Sequence, residues 1–362
     1  MKTISKFGLA AAAALFGAVG VAQAEDAVTV VSWGGAYTKS QVKAYHEPFS
    51  KEFKIKVNSV DYNGGLAEIK AQVEAKNVTW DVVDVELSDA VRGCDEGLLE
   101  PIDKAVLPAA PDGTPATEDF IGGALTECAV ANIVWSTIYA YDEKTIGDKK
   151  PTTIADFFDT DTWKGKRGLR KTPKANLEMA LLADGVAAGD IYKVLATEDG
   201  VARAFKKLEG LKANAVWWEA GAQPPQLLAD GEVMMTTAYN GRIFNAIASE
   251  KKPFKIVWDG QIFDLDLFVI PKGTKNKERA LKFIAYSTDT QRLADQAAWI
   301  SYGPARKSSA PLIGKHADAG IDMKPHMPTA PENFKNVVQN DFAFWADHQD
   351  ELNERFNSWL AK

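Results

Sequence analysis

Residues 262–271 read IFDLDLFVIP. In an extended chain side chains alternate between faces, so Phe263, Leu265 and Leu267 share one face while Asp264 and Asp266 share the other. The apolar, partly β-branched flanks predict a buried strand, where an unpaired carboxylate is costly unless a cation or a set of donors meets it. The stretch therefore asks what these two aspartates face.

Working outward, AVTVVSWGG predicts a strand ending in a turn, AYTKSQVKAYHEPFSKEF a helix, KIKVNSVDY a strand, GGLAEIKAQVEAKN a helix, and WDVVDVELSDAV a strand running into a loop. Such alternation predicts a parallel sheet with helices on its faces. IVWSTIYAYDEKTI reads as a longer strand, PTTIADFFDTDTWKGKRGLRK as turns and helix, and AVWWEAG and EVMMTTAY as strands. NKERALKFIAYSTDTQRLADQAA and the closing ENFKNVVQNDFAFWADHQDELNERFNSWLAK read as helical. The fold class is α/β.

The chain opens with Lys2 and Lys6, an apolar run from Phe7 to about Val21, and the small-x-small site Ala22-Gln23-Ala24. That order is a secretory signal peptide over 1–24, cleaved after Ala24, and it places the mature chain in the periplasm. The apolar run is shorter than the roughly 20 residues of a membrane span. Cleavage removes two lysines, leaving 40 basic residues against 49 acidic ones and a net charge near −9. This balance disfavours a nucleic-acid partner. At roughly 338 residues the mature chain exceeds what one core usually supports, so two lobes are expected. Cys94 and Cys128 form an even pair in an oxidising compartment and are expected to join as a disulfide.

The four histidines have no metal-ligand spacing, and the sequence holds no G-x-S-x-G, G-x-x-x-x-G-K-[ST] or G-x-G-x-x-G. Neither a metal nor a cofactor is expected. The notable residues lie at the ends of predicted strands, where parallel α/β sheets place ligands. Trp33 and Tyr37 follow the first strand, beside Gly34 and Gly35, whose backbone could approach a ligand; a packed turn is the plainer explanation. Asp84, Glu86 and Asp89 lie in WDVVDVELSDAV, where Ser88 or Asp89 could equally be a helix cap. Tyr239 and Arg242 sit in AYNGR, and a surface ion pair would also account for the arginine. Aromatic faces and carboxylates attract an ammonium, and a guanidinium can hold a carboxylate bidentately. Two ligand classes remain open: an oligoamine, or an amino acid with well-separated charges.

In order and spacing, VVSWGGAY, WDVVDVELSDAVRGCDEGLLEPID, WKGKRGLRK, PPQLLADGEVMMTTAYNGR, FDLDLFVIPKGTKNKERALKFI and SYGPARKSS resemble the bacterial extracellular solute-binding proteins of ABC importers, specifically the spermidine/putrescine-binding group. The resemblance implies a type II periplasmic-binding fold, two α/β lobes joined by crossing segments near IYAYD and DLDLF and closing on a ligand between them. Lobe 1 would comprise 25–138 and 267–315, and lobe 2 139–266 and 316–362. It also implies ligand contacts from Trp33, Tyr37, Glu86, Ser88, Tyr239, Asp266 and Tyr302, with Asp266 and Asp264 facing a substrate ammonium. The partner would be an inner-membrane ABC permease and the receptor a monomer. Polyamine binding is the leading expectation. The alternative is a γ-aminobutyrate-like ω-amino acid, because Arg242 beside the aromatic is what related receptors use for such a carboxylate. Asp264 stands where polyamine binders usually carry tryptophan, and no acidic pair occurs between Lys171 and Ala180.

The protein is thus expected to be a passive receptor rather than an enzyme. A secreted glycoside hydrolase using Asp264 and Asp266 is the remote alternative, since same-face strand neighbours lie roughly 7 Å apart.

Overall fold

The computed structural model describes residues 26–362. The segment read as a signal peptide lies outside the described residues, and among those described no helix is long and apolar enough to cross a membrane. Among the described residues ten strands form one sheet: β1 (Ala27–Ser32), β2 (Lys56–Asp61), β3 (Val82–Glu86), β4 (Ala129–Asp142), β5 (Arg167–Arg170), β6 (Ala215–Trp218), β7 (Met235–Tyr239), β8 (Phe254–Val269), β9 (Gly303–Pro304) and β10 (Val338–Gln339). The main order is β2-β1-β3-β8-β4-β7-β5-β6, with β10 beside β8 and β9 beside β4.

This sheet is mixed, which corrects the expectation of a parallel one. β1 pairs parallel with β2 and β3, and β5 pairs parallel with β6 and β7. Between these two parallel groups run the long strands β4 and β8, antiparallel to each other and to β3 and β7. The reason lies in the chain path. Alternating strands and helices do build parallel units, but the chain must pass from one unit to the other and back, and those two passages lie side by side in opposite directions.

The apolar residues divide accordingly. One core gathers Val30, Val83 and Phe283 around the early part of β4 and the late part of β8, including Val130 and Phe268. A second gathers Phe157, Leu181 and Trp345 around Tyr139 and Tyr141 of β4 and Val257 and Ile262 of β8. Two α/β lobes share the crossing strands, and the fold is that of a type II periplasmic binding protein. Cys94 and Cys128 are disulfide-bonded across 34 residues of chain in the first lobe, a closure worth about 3–4 kcal/mol against the unfolded ensemble.

Several element readings change. After Glu86 the chain enters a helix, Leu87–Asp95, where a loop was expected. RGLR is a strand, because it pairs with both β6 and β7. The helical reading of the C-terminal stretch fails before Asp341, whose carboxylate accepts from the Ala343 and Phe344 amides and so starts the helix Phe342–Leu360; Val338–Gln339 instead pair with β8. The helical run after Asn276 is broken at Thr288–Asp289, where Asp289 caps a second helix.

Candidate functional site

Each lobe presents the carboxyl end of a strand to the gap between them. β1 ends at Ser32, and Trp33 and Gly34 lead into the helix Gly35–Gln41. β3 ends at Glu86, the residue before the helix Leu87–Asp95. From the other side, β7 ends at Tyr239, and the helix Asn240–Ala248 carries Arg242 in its first turn. Strand-to-helix junctions suit this purpose, because the extended residue aims its side chain outward while the helix start leaves backbone donors free.

Trp33, Tyr37, Tyr239 and Tyr302 wall a cavity together with Trp135, and Glu86, Arg242 and Asp266 supply its charges. The space amounts to about 250 Å³, its open mouth included. Tyr37 and Tyr302 meet edge to face at 5.2 Å, and Trp135 meets Tyr239 the same way at 5.0 Å. Of the residues singled out in the sequence, Asp84, Ser88, Asp89 and Asp264 do not line the cavity. Ser88 Oγ accepts from Lys174 Nζ at 2.6 Å. Asp264 lines a second chamber on the far side of Trp135, with Lys174, Arg170 and Asn340. There it accepts from Asn340 Nδ2 at 2.5 Å and from its neighbour's amide at 2.7 Å. The two aspartates do share a strand face, but Trp135, paired in register with Asp264, separates their surroundings.

Glu86 and Asp266 sit directly opposite each other across β3 and β8, yet their partners differ. Glu86 takes Arg170 Nη1 at 3.0 Å on one oxygen and Lys174 Nζ at 2.7 Å on the other. Burial alone would raise its carboxyl, but the charges of Lys174 and Arg170 win and hold it down at about 2. Among the described residues Asp266 accepts one side-chain bond, from the Trp135 indole at 2.8 Å. Burial, followed by repulsion from Asp84, Glu86 and Asp264, pushes its carboxyl well above the usual range. Asp84, one layer behind, accepts from Ser32, Gln41 and Asn132, and burial carries it up to about 7. Asp264 is likewise raised to about 7 by burial, against the pull of Lys174.

Arg242 lines the same cavity. Its Nη2 donates to the Trp33 carbonyl at 3.0 Å and its Nη1 donates to the Gly34 carbonyl, so the guanidinium bridges the lobes. Gly35, at φ +57°, suits this approach: a Cβ on it would be strained in that conformation and would lie 3.0 Å from Arg242 Nη1. Arg242 is 3% exposed, which sets aside the surface ion pair considered for it. Its Nε, with the indole nitrogens of Trp33 and Trp218, is a buried donor without a partner among the described residues. A bound carboxylate would satisfy such donors.

Sequence reasoning missed Trp135, Arg170, Lys174 and Asn340. Trp135 carried a readable signal, since it lies in a strand expected to cross between lobes. Arg170 was hidden in a basic stretch read as turn and helix, Lys174 lay just beyond that stretch, and Asn340 was in a stretch read as continuous helix. Among the described residues no cluster of His, Cys, Asp or Glu could hold a metal ion.

The bacterial extracellular solute-binding protein family model matches residues 42–329. A gamma-aminobutyric acid-binding protein of Pseudomonas aeruginosa is 46% identical, the match covering 99% of this chain and 96% of the relative. A solved GABA receptor superposes with a TM-score of 0.78 at 35% identity, covering 93% of this chain and 98% of that one. A spermidine/putrescine-binding periplasmic protein of Salmonella typhimurium is 24% identical, covering 97% of this chain and 99% of the relative. The chain belongs to the bacterial extracellular solute-binding protein family.

Proposed function

We propose that this solute-binding protein is the periplasmic receptor of an ABC importer for a γ-aminobutyrate-like ω-amino acid. It would be exported by cleavage after Ala24 and work as a monomer that hands its ligand to an inner-membrane permease. The observation that carries this reading is the contrast within the cavity. Among the described residues Asp266 lacks a cationic partner, while Arg242, lining the same cavity, has an unpartnered donor. An ammonium on Asp266 and a carboxylate on Arg242 would complete both, between aromatic walls that also favour the cation.

The polyamine reading, the leading one from sequence, gives way to its alternative. A diamine needs a second free anion, and Glu86 already has both oxygens occupied by Arg170 and Lys174. The similarity to a gamma-aminobutyric acid-binding protein at 46% identity, against 24% for a spermidine/putrescine-binding one, leans the same way.

Binding would proceed by lobe closure, the ligand stabilising the closed arrangement it contacts from both sides. The lobe boundaries at 138/139 and 266/267 fall within or beside the crossing strands β4 and β8, so the turning point would lie there. No reaction is needed. The hydrolase reading loses its paired acids, because Asp264 and Asp266 face different chambers. A thermal-shift screen of the mature protein against γ-aminobutyrate, other amino acids, putrescine and spermidine tests the assignment, since ligand bound to the native state raises Tm. A rise with ω-amino acids is expected; a rise with polyamines alone would overturn it.

A further inference from the structure

Lys174 is a buried ammonium held in the way a ligand amine would be held. Its Nζ donates to Glu86 Oε2 at 2.7 Å and to Ser88 Oγ at 2.6 Å, and it lies 5.7 Å from the centroid of the Trp345 ring. A carboxylate, a hydroxyl and an aromatic face are the groups that recognise an amine. Lys174 follows β5 in the second lobe, and it reaches across the gap to the end of β3 in the first. Its partner Glu86 is the cross-strand neighbour of Asp266. Two carboxylates directly opposite repel, and a cation beside one of them relieves the pair. Burial would lower the Lys174 ammonium, but Glu86, Asp89 and Asp264 together raise it above its ordinary value, so it is charged at any pH of interest.

Resting on the ω-amino-acid reading of the cavity, we infer that Lys174 is a specificity-determining residue: a tethered internal ammonium that fills the Glu86–Ser88 subsite and so limits the ligand to one ammonium group. A diamine entering the cavity finds Asp266 for its first charge, but the one other carboxylate lining that cavity, Glu86, is already neutralised by Lys174 from the adjoining chamber. A zwitterion meets no such conflict, since its other end turns to Arg242. Specificity here comes from an occupied subsite and from repulsion, not only from favourable contacts. Arg170 supports the arrangement by covering the other Glu86 oxygen and lying over the Trp33 and Tyr239 rings at 5.7 and 5.6 Å.

The test is calorimetric titration of wild type, Lys174→Ala, Lys174→Gln and Lys174→Arg with putrescine and with γ-aminobutyrate. Lys174→Gln keeps much of the length and a donor toward Glu86, so it reports on the charge even where truncation to Ala unfolds the protein. Putrescine should bind at least about tenfold tighter to the Gln variant than to wild type, and tighter again to the Ala variant if it folds, while the Arg variant keeps the wild-type ratio. Putrescine affinity unchanged in the neutral variants overturns the inference and leaves the ω-amino-acid reading intact. Wild type that binds putrescine as tightly as γ-aminobutyrate overturns both. Because the deciding readout is putrescine, failure of γ-aminobutyrate to bind removes the functional reading without obscuring the gain of diamine binding that the inference requires.

Discussion

Glu86 and Asp266 are the same chemistry in nearly the same place, facing each other across two paired strands, and they have opposite fates. Glu86 is clamped between two cations from the other lobe and held at about 2, whereas Asp266 has an indole N–H and is pushed up. What separates them is the supply of internal cations. The protein neutralises one acid by itself, and on the proposed function the other is left for a ligand. On the proposed function the same comparison bears on closure: Glu86 joins the lobes through Arg170 and Lys174, while Asp266 would contribute when an ammonium arrives.

The strongest way to break this comparison is to remove the unsatisfied member. Asp266→Ala should weaken γ-aminobutyrate by about 100-fold or more in calorimetric titration, the scale for deleting one partner of a buried charge pair. Retained affinity would mean that the ammonium sits elsewhere. Next, Arg242→Ala should cost an ω-amino acid about 30-fold or more and a simple monoamine much less, because only the former loses a carboxylate partner. Equal losses would reduce Arg242 to its bridges to the Trp33 and Gly34 carbonyls. Trp135→Phe, which deletes the one indole donor on Asp266 and keeps most of the ring, should shift affinity by about 1 kcal/mol in the same assay. No change would show that the ligand amine replaces that bond.

The smallest effect sharpens the electrostatic side. Asp264 has a folded-state value near 7 against an ordinary 3.8, so its protonated form is favoured by folding. Its contribution is therefore fully present below about pH 4 and lost as pH rises through 7. Asp264→Asn should gain Tm relative to wild type at pH 8 and none at pH 4, on the order of 1 kcal/mol once the altered bond to Asn340 is counted. Glu86 has the opposite sign: its depressed value adds stability above the ordinary 4.5 that disappears as pH falls toward 2. Glu86→Gln should accordingly flatten the acid side of the melting profile, and an unchanged profile would mean that the cations do not hold Glu86 in solution.

Much of this molecule was legible from residue order. Period-two reading of IFDLDLFVIP placed both aspartates on one face, and the strand ends led to Trp33, Tyr37, Glu86, Tyr239 and Arg242, which do meet at one cavity. The mixed sheet was not legible, because strand direction depends on where the chain crosses and not on local pattern. Nor was the pairing of Glu86 with Lys174, 88 residues away. An acid in a strand looks the same whether its cation comes from the protein or from a ligand, and that ambiguity sustained the polyamine expectation. The division of Asp264 from Asp266 was hidden for a related reason: period two assigns a face, while the wall between them is a side chain from β4.

The most direct measurement is the crystal structure of the mature protein grown with γ-aminobutyrate. The account predicts one molecule in the aromatic cavity, its ammonium within hydrogen-bond distance of Asp266 and its carboxylate on Arg242, with Lys174 still on Glu86. A ligand amine on Glu86 with Lys174 displaced, or a ligand carboxylate away from Arg242, would contradict it.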